Sequence, residues 1–225
     1  SDRRVFMVSK FGDGRFLNME NSATSAANLE WYVRALVERG GHHDDPFGVV
    51  SAAVESVSPT LGDPYFHPFL YGGRLGAHQR GGFYGIAGWH GEGHLLRAIF
   101  EGVMFEHRRH VEVLAEAGLD FDHVALSGGG ARSAIWPQMF ADGLGRLVTV
   151  AEARETGALG AAIGAALALG VYGDYEAAVA AMTKAKARFS PHPQMQAHYD
   201  HRYRTWTRIT QVMDPIWREM AEAAR

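Results

Sequence analysis

The longest helical pattern in the chain runs from residue 91 to residue 118. There Leu96, Phe100, Val103, Met104, His107, Val111 and Leu114 share one face, and Leu95, Ala98, Ile99 and Gly102 widen the apolar sector in the first half. That half is expected to be buried on most sides. Ahead of it, residues 4–11 and 15–19 read as two β segments joined by Gly12-Asp13-Gly14, a short glycine-bearing turn suited to an antiparallel hairpin. Ala26, Leu29, Val33, Leu36 and Val37 return at helical spacing within residues 22–39, and Gly40-Gly41 closes that helix. A second short helix is expected at 47–57. Residues 59–82 carry Pro59, Pro64, Pro68 and several glycines and aromatics, which predicts a long surface loop. A strand is expected at 83–86.

Beyond the long helix the pattern alternates: a strand at 123–127, a helix at about 132–143, a strand at 147–151 and a small-residue helix at 158–169. Such alternation predicts an α/β sheet with helices on its faces. The last helical region, 194–224, places Tyr199, Tyr203, Trp206, Ile209, Met213, Ile216 and Met220 on one stripe, and Pro215 is expected to kink or split it.

Composition narrows the class. The 225 residues contain no cysteine, and 22 Lys+Arg against 25 Asp+Glu give a formal charge of −3. A core can form without disulfides at this length. No basic footprint for a nucleic-acid backbone is visible, so no such partner is expected. The longest apolar run, 158–172, is broken by Gly160, Gly164 and Gly170 and falls short of the roughly 20 residues of a membrane span. It reads as a buried helix, with no membrane partner expected. Ser1-Asp2-Arg3-Arg4-Val5 adjoins no long apolar region, so a signal peptide is not expected and a cytoplasmic setting is.

Candidate chemistry concentrates at Ala125-Leu126-Ser127-Gly128-Gly129-Gly130-Ala131-Arg132-Ser133, where a strand hands over to a helix. Three glycines cost conformational entropy that an ordinary turn does not require. The loop fails the dinucleotide fingerprint, because Ser133 stands at the sixth position from Gly128, and the chain holds no P-loop. A second glycine-containing helix start comes at Glu155-Thr156-Gly157-Ala158-Leu159-Gly160. Two helix amino termini near the end of a sheet offer amides and a favourable dipole to an anionic ligand. A tight turn without ligand is the competing reading. Gly157, Gly160 and Gly164 fit close helix-on-sheet packing.

Histidines raise a metal question at His90 with His94, at His107 with His110, and at His42-His43-Asp44-Asp45. The order around His90 and His94 is not that of zinc hydrolases, and packing, capping and a solvated loop account for these residues. No metal site is expected in this chain.

Gly81, Phe83, Gly85 and Ile86, then seven residues, then His94, Leu95, Ala98, Ile99, Phe100 and Glu101 occupy every constrained position of a pattern that resembles the second signature of the FGGY carbohydrate kinase family. The glycine loop with Trp136, Gln138, Ala141 and Asp142, and the later 155–162 segment, are similar to that family's adenosine-binding region in the same order. The resemblance implies an actin-like ATPase, ribonuclease H-like α/β domain, a mixed sheet with helices on both faces. Residues 1–225 would form one carboxy-terminal nucleotide-binding domain, separate from an amino-terminal sugar-binding domain.

By the same resemblance Gly128, Gly129 and Gly130 line the adenosine and α-phosphate of ATP, and Ser133 stands where some members carry a nucleotide-contacting asparagine. Ala26 and Glu30 are secondary contacts on a helix that flanks the adenine; a solvated charge is the competing reading of Glu30. Two departures matter. Pro137 falls where a helix should already run, so that helix starts late or bends. The family's general-base aspartate, its phosphate-gripping loop and the ligands of Mg2+ belong outside this chain, which also opens on the second and third strands of the family's meander. No catalytic residue is therefore assigned.

The resemblance thus implies the ATP-binding half of a carbohydrate kinase that transfers the γ-phosphoryl group to a sugar or polyol hydroxyl, this chain alone being inactive. The segment 68–74 and the run 94–110 resemble the pentulose and erythritol kinase branch, which makes a ketopentose such as L-xylulose the first substrate to test. A domain parted from its partner is expected to expose an apolar face, with the aromatic-rich 65–84 region a candidate, and to self-associate as a homodimer unless that face is polar. The competing reading is a catalytically silent, actin-like interaction module without nucleotide binding.

Overall fold

The computed structural model describes residues 7–12, 14–21, 25–40 and 44–223, which divide into two compact units, 1–121 with 193–225 and 122–192. The elements run β1 (Met7–Gly12), β2 (Arg15–Met19), α1 (Ala27–Tyr32), α2 (Pro46–Glu55), β3 (Tyr65–His67), β4 (Gly82–Tyr84) and α3 (Glu92–Glu116). They continue with β5 (His123–Leu126), α4 (Trp136–Leu144), β6 (Leu147–Ala151), α5 (Thr156–Ala168), α6 (Tyr175–Met182), β7 (Ala185–Phe189) and α7 (Pro193–Ala223). Among the described residues no helix is long and apolar enough to cross a membrane.

In the first unit β1 and β2 form the expected hairpin, in register from Met7 opposite Met19 to Lys10 opposite Phe16. Residues 4–6 and Asp13 lie outside the described residues. Gly14 has φ 75°, a left-handed backbone that favours glycine. The single helix expected over 22–39 is realised as α1, a π-helical turn Val33–Val37 and a 3-10 turn Glu38–Gly40. Residues 22–24 and Gly41 lie outside the described residues. Asp45 starts α2 by accepting from the Gly48 amide (2.9 Å), with Pro46 following it in the first turn.

The surface loop expected at 59–82 is corrected. It contributes β3, paired antiparallel with β4, and its Phe66, His67, Phe69 and Gln79 are buried. Prolines and glycines exclude long regular elements but not burial, provided that the loop's backbone groups find partners. They find them in buried side chains: Gln79 Oε1 accepts from the Leu75 amide (2.9 Å), and Arg202 donates to the carbonyls of Asp63 (3.0 Å) and Pro64 (2.9 Å).

Every residue from 96 to 106 of α3 is buried, as its broad apolar sector predicted. Gly102 has a steric reason, because a Cβ there would lie 2.3 Å from the Phe66 carbonyl oxygen of β3. Pro215 does not split α7. The expected stripe is half right: Tyr199, Tyr203 and Trp206 are buried, but further along the buried residues are Thr210 and Trp217, while Ile216 and Met220 are exposed. Arg202 joins the buried face because it brings partners with it.

In the second unit β6 lies between β5, parallel to it, and β7, antiparallel to it, which makes a mixed sheet. Helix α4 packs on β6 and β7, and α5 packs on α6. The pattern did not predict α6 or β7. Helix α5 also corrects an expectation: only Ile163 is buried, and an added Cβ at Gly157, Gly160 or Gly164 would meet nothing within 4 Å. Apolar composition alone does not supply a surface to pack on.

Candidate functional site

At the end of β5 the chain passes through Ser127 and Gly128 into one 3-10 turn, Gly129–Arg132, before α4 opens at Trp136. Gly128 has φ 81° and ψ −158°, a backbone that side chains rarely adopt. Gly129 is different. Its φ lies outside the left-handed region, and a Cβ built on it would meet nothing within 4 Å. At Gly130 a Cβ would stand 3.4 Å from the Trp136 ring, so packing is already close there. Ser127, Gly128 and Gly129 are exposed.

Ser133 sets where α4 begins. Its Oγ accepts from the amides of Ile135 and Trp136, both at 3.2 Å, which satisfies two of the amides that a helix start leaves without partners. Helix α4 thus starts late, with Pro137 in its first turn, where a missing N–H costs nothing. The four loop residues singled out from the sequence, Gly128, Gly129, Gly130 and Ser133, therefore form one short structure. Ala26 and Glu30 belong to the other unit. The Ala26 carbonyl accepts from the amides of Leu29 (2.9 Å) and Glu30 (3.1 Å), and the exposed Glu30 carboxylate pairs with Arg34 at 3.4 Å.

Asp142, the buried carboxylate nearest the loop in sequence, is engaged through Oδ1. It accepts from the Gln138 amide (2.9 Å) and from the His192 backbone amide (2.7 Å), which ties the chain after β7 to α4. Gln138 Nε2 also donates to the Ser190 carbonyl at 2.9 Å. Asp120 accepts from the Phe121 amide (3.0 Å), and Asp122 is exposed with its carbonyl accepting from Leu147.

The signature residues of the first unit hold structure. His94 Nδ1 accepts from the Gly91 amide (3.1 Å) and closes the start of α3, while His90 Nδ1 accepts from Ala87 (2.8 Å). Arg97 donates to the carbonyls of Val54 (2.9 Å) and Val57 (2.8 Å), finishing α2. Glu101 accepts from Arg202 Nε at 2.8 Å in a fully buried ion pair. Burial pushes the Glu101 carboxyl above the usual carboxylate range, against the pull of the adjacent Arg202 guanidinium, and that fork is also bound to three loop carbonyls. Sequence reasoning found Glu101 but not its partner, because the two stand 101 residues apart.

His67 is another buried titratable group. Its Nε2 lies 2.7 Å from Thr210 Oγ1 and 3.2 Å from the Trp206 carbonyl, and its ring stacks on Trp206 with centroids 4.9 Å apart. Burial lowers its pKa to about 3, which keeps it neutral. Among the described residues no group of three His, Asp or Glu is placed to hold a metal ion. His42 and His43 lie outside the described residues.

Comparison with known proteins places these features. The family described as FGGY family of carbohydrate kinases, C-terminal domain, matches residues 6–169. An L-xylulose/3-keto-L-gulonate kinase of Escherichia coli (strain K12) is 39% identical over 166 residues, 74% of this chain and 32% of that protein. A probable L-xylulose kinase of Pasteurella multocida (strain Pm70) is 32% identical over 200 residues, 89% of this chain and 39% of that protein. Among solved structures, xylulose kinase from Rhodospirillum rubrum superposes with a TM-score of 0.86 at 26% identity, over 97% of this chain and 44% of that one. The chain thus spans less than half the length of each, and the actin-like fold that the signature implied is the fold it has. With a family match over most of its length and the signature residues built into one helix and its supports, the chain belongs to the FGGY family of carbohydrate kinases.

Proposed function

We propose that this chain is the nucleotide-binding, carboxy-terminal domain of a kinase that, in its complete form, transfers the γ-phosphoryl group of ATP to a sugar or polyol hydroxyl. The observation that carries this reading is Gly129: neither its backbone nor its packing asks for a glycine, and a ligand lying against the loop does. The open Gly128-Gly129 surface fits the flat, extended body of a nucleotide. Ser133 spends its oxygen lone pairs on α4 and keeps its hydroxyl proton to donate to that ligand. Ala26 and Glu30 are secondary contacts of the same nucleotide.

Bound ATP supplies the transferable phosphoryl group, and such transfer asks the protein mainly for positioning and charge neutralisation. The residues of this chain position. The resemblance to the family assigns the base and the ligands of Mg2+ to an amino-terminal, sugar-binding domain. The names of the relatives support a ketopentose, L-xylulose first, as acceptor. A cytoplasmic setting, where ATP and free sugars meet, goes with this reading.

The test is titration calorimetry with ADP on the chain and on Gly129→Val. A Cβ at position 129 meets nothing within 4 Å, so the fold is expected to hold while ADP binding weakens about tenfold or more, about 1.4 kcal/mol. Equal affinity for both proteins removes the loop from the site. No ADP affinity in either favours the nucleotide-free interaction module.

A further inference from the structure

We propose that Glu30 and Arg34 read the base of the bound nucleotide and select adenine over guanine, an inference that rests on the nucleotide site proposed above. The pair stands on a well-held element. Leu29, Tyr32, Val33 and Val37 are buried, and the Tyr32 hydroxyl donates to Glu92 of α3 at 3.2 Å. Glu30 and Arg34 face outward, with side chains 51% and 73% exposed, and meet through Glu30 Oε2 and Arg34 Nη2 at 3.4 Å. Among the described residues neither side chain has another polar partner, which leaves Glu30 Oε1 and Arg34 Nε and Nη1 open to a ligand. The backbone adds a second observation: Arg34 lies in the π-helical turn Val33–Val37, a rare form found frequently at functional sites.

Charge selects the part of the nucleotide. A carboxylate repels phosphates, so Glu30 suits the nucleoside end. There an acceptor set beside a donor is the complement of the adenine edge, whose N6 amino group donates and whose N7 accepts. Glu30 Oε1 takes the amino group, and the Arg34 guanidinium donates to N7. Guanine carries O6 and N7, two acceptors, along the same edge. With guanine the Glu30 oxygen would face O6, acceptor against acceptor, so the pair rejects that base as well as favouring adenine.

Titration calorimetry of the 225-residue chain with a set of nucleoside diphosphates tests this. ADP is expected to bind about tenfold or more tighter than GDP. 7-Deaza-ADP, which has C–H in place of N7, is expected to bind several-fold more weakly than ADP, and in Arg34→Ala the two are expected to bind alike. Glu30→Gln, whose amide can turn to donate to O6, is expected to bring GDP up to the affinity of ADP. Circular dichroism identical to that of the parent shows that the variants fold. ADP and GDP binding equally to the parent, or a preference that Glu30→Gln leaves untouched, overturns the proposal while the nucleotide site stands. Affinity lost with 2′-deoxy-ADP but not with 7-deaza-ADP assigns the pair to the ribose and overturns it as well. No affinity for ADP overturns the nucleotide site and this inference with it.

Discussion

Ser133 serves local structure, and the proposed function gives it a ligand to serve as well. Its oxygen accepts two amides at the start of α4, so Ser133→Ala is expected to cost about 1 kcal/mol of stability, read from the thermal unfolding midpoint. If its hydroxyl also donates to the nucleotide, ADP affinity falls as well; unchanged affinity beside lost stability would confine Ser133 to capping. Glu101 is a signature residue of the other compact unit, where it pairs with Arg202. Its removal as Glu101→Ala leaves Arg202 charged and buried, and is expected to cost about 3 to 5 kcal/mol in urea unfolding. A loss within experimental error would show that the pair is not an anchor.

At the scale of elements, β3, α3 and α7 close on one another through polar groups as much as apolar ones. The Arg202 guanidinium binds Glu101 of α3 and the carbonyls of Thr60, Asp63 and Pro64, while His67 of β3 reaches Thr210 and the Trp206 carbonyl of α7. Acid sensitivity of this packing is expected from His67 and His110, whose pKa values burial lowers to about 3 and about 4. In the unfolded chain both titrate near 6.5, so between that value and their folded values the unfolded state binds more protons. Stability is therefore complete above about pH 6.5 and falls as the pH drops through that window, by up to about 1.4 kcal/mol per pH unit for each histidine. Urea unfolding at pH 7 and pH 5 checks this; equal stability at the two would mean that the histidines are not buried neutral.

For the whole molecule, the glycine loop and the α3 signature belong to different compact units. The chain alone is expected to release no ADP from ATP in response to L-xylulose, other ketopentoses or polyols, whereas a polypeptide with the full length of its kinase relatives turns over, ketopentose first. Sugar-dependent ADP release by the 225-residue chain would mean that a base and a phosphate clamp reside in it.

Local chemistry made much of this legible. The spacing of Gly81 to Glu101 carried the family, the broad apolar sector in the first half of the 91–118 helix announced burial on most sides, and three glycines after an apolar strand located the loop. These signals lie within a few helical turns, where neighbours in sequence are neighbours in space. Tertiary structure alone decided the rest. Residues 59–82 turned inward because Arg202, well over a hundred positions later, satisfies their carbonyls, and Trp217 rather than Ile216 faces the core. Likewise α5, as apolar as any core helix, stayed exposed because burial depends on the surface a fold offers, and a chain's own pattern does not record its partners across space.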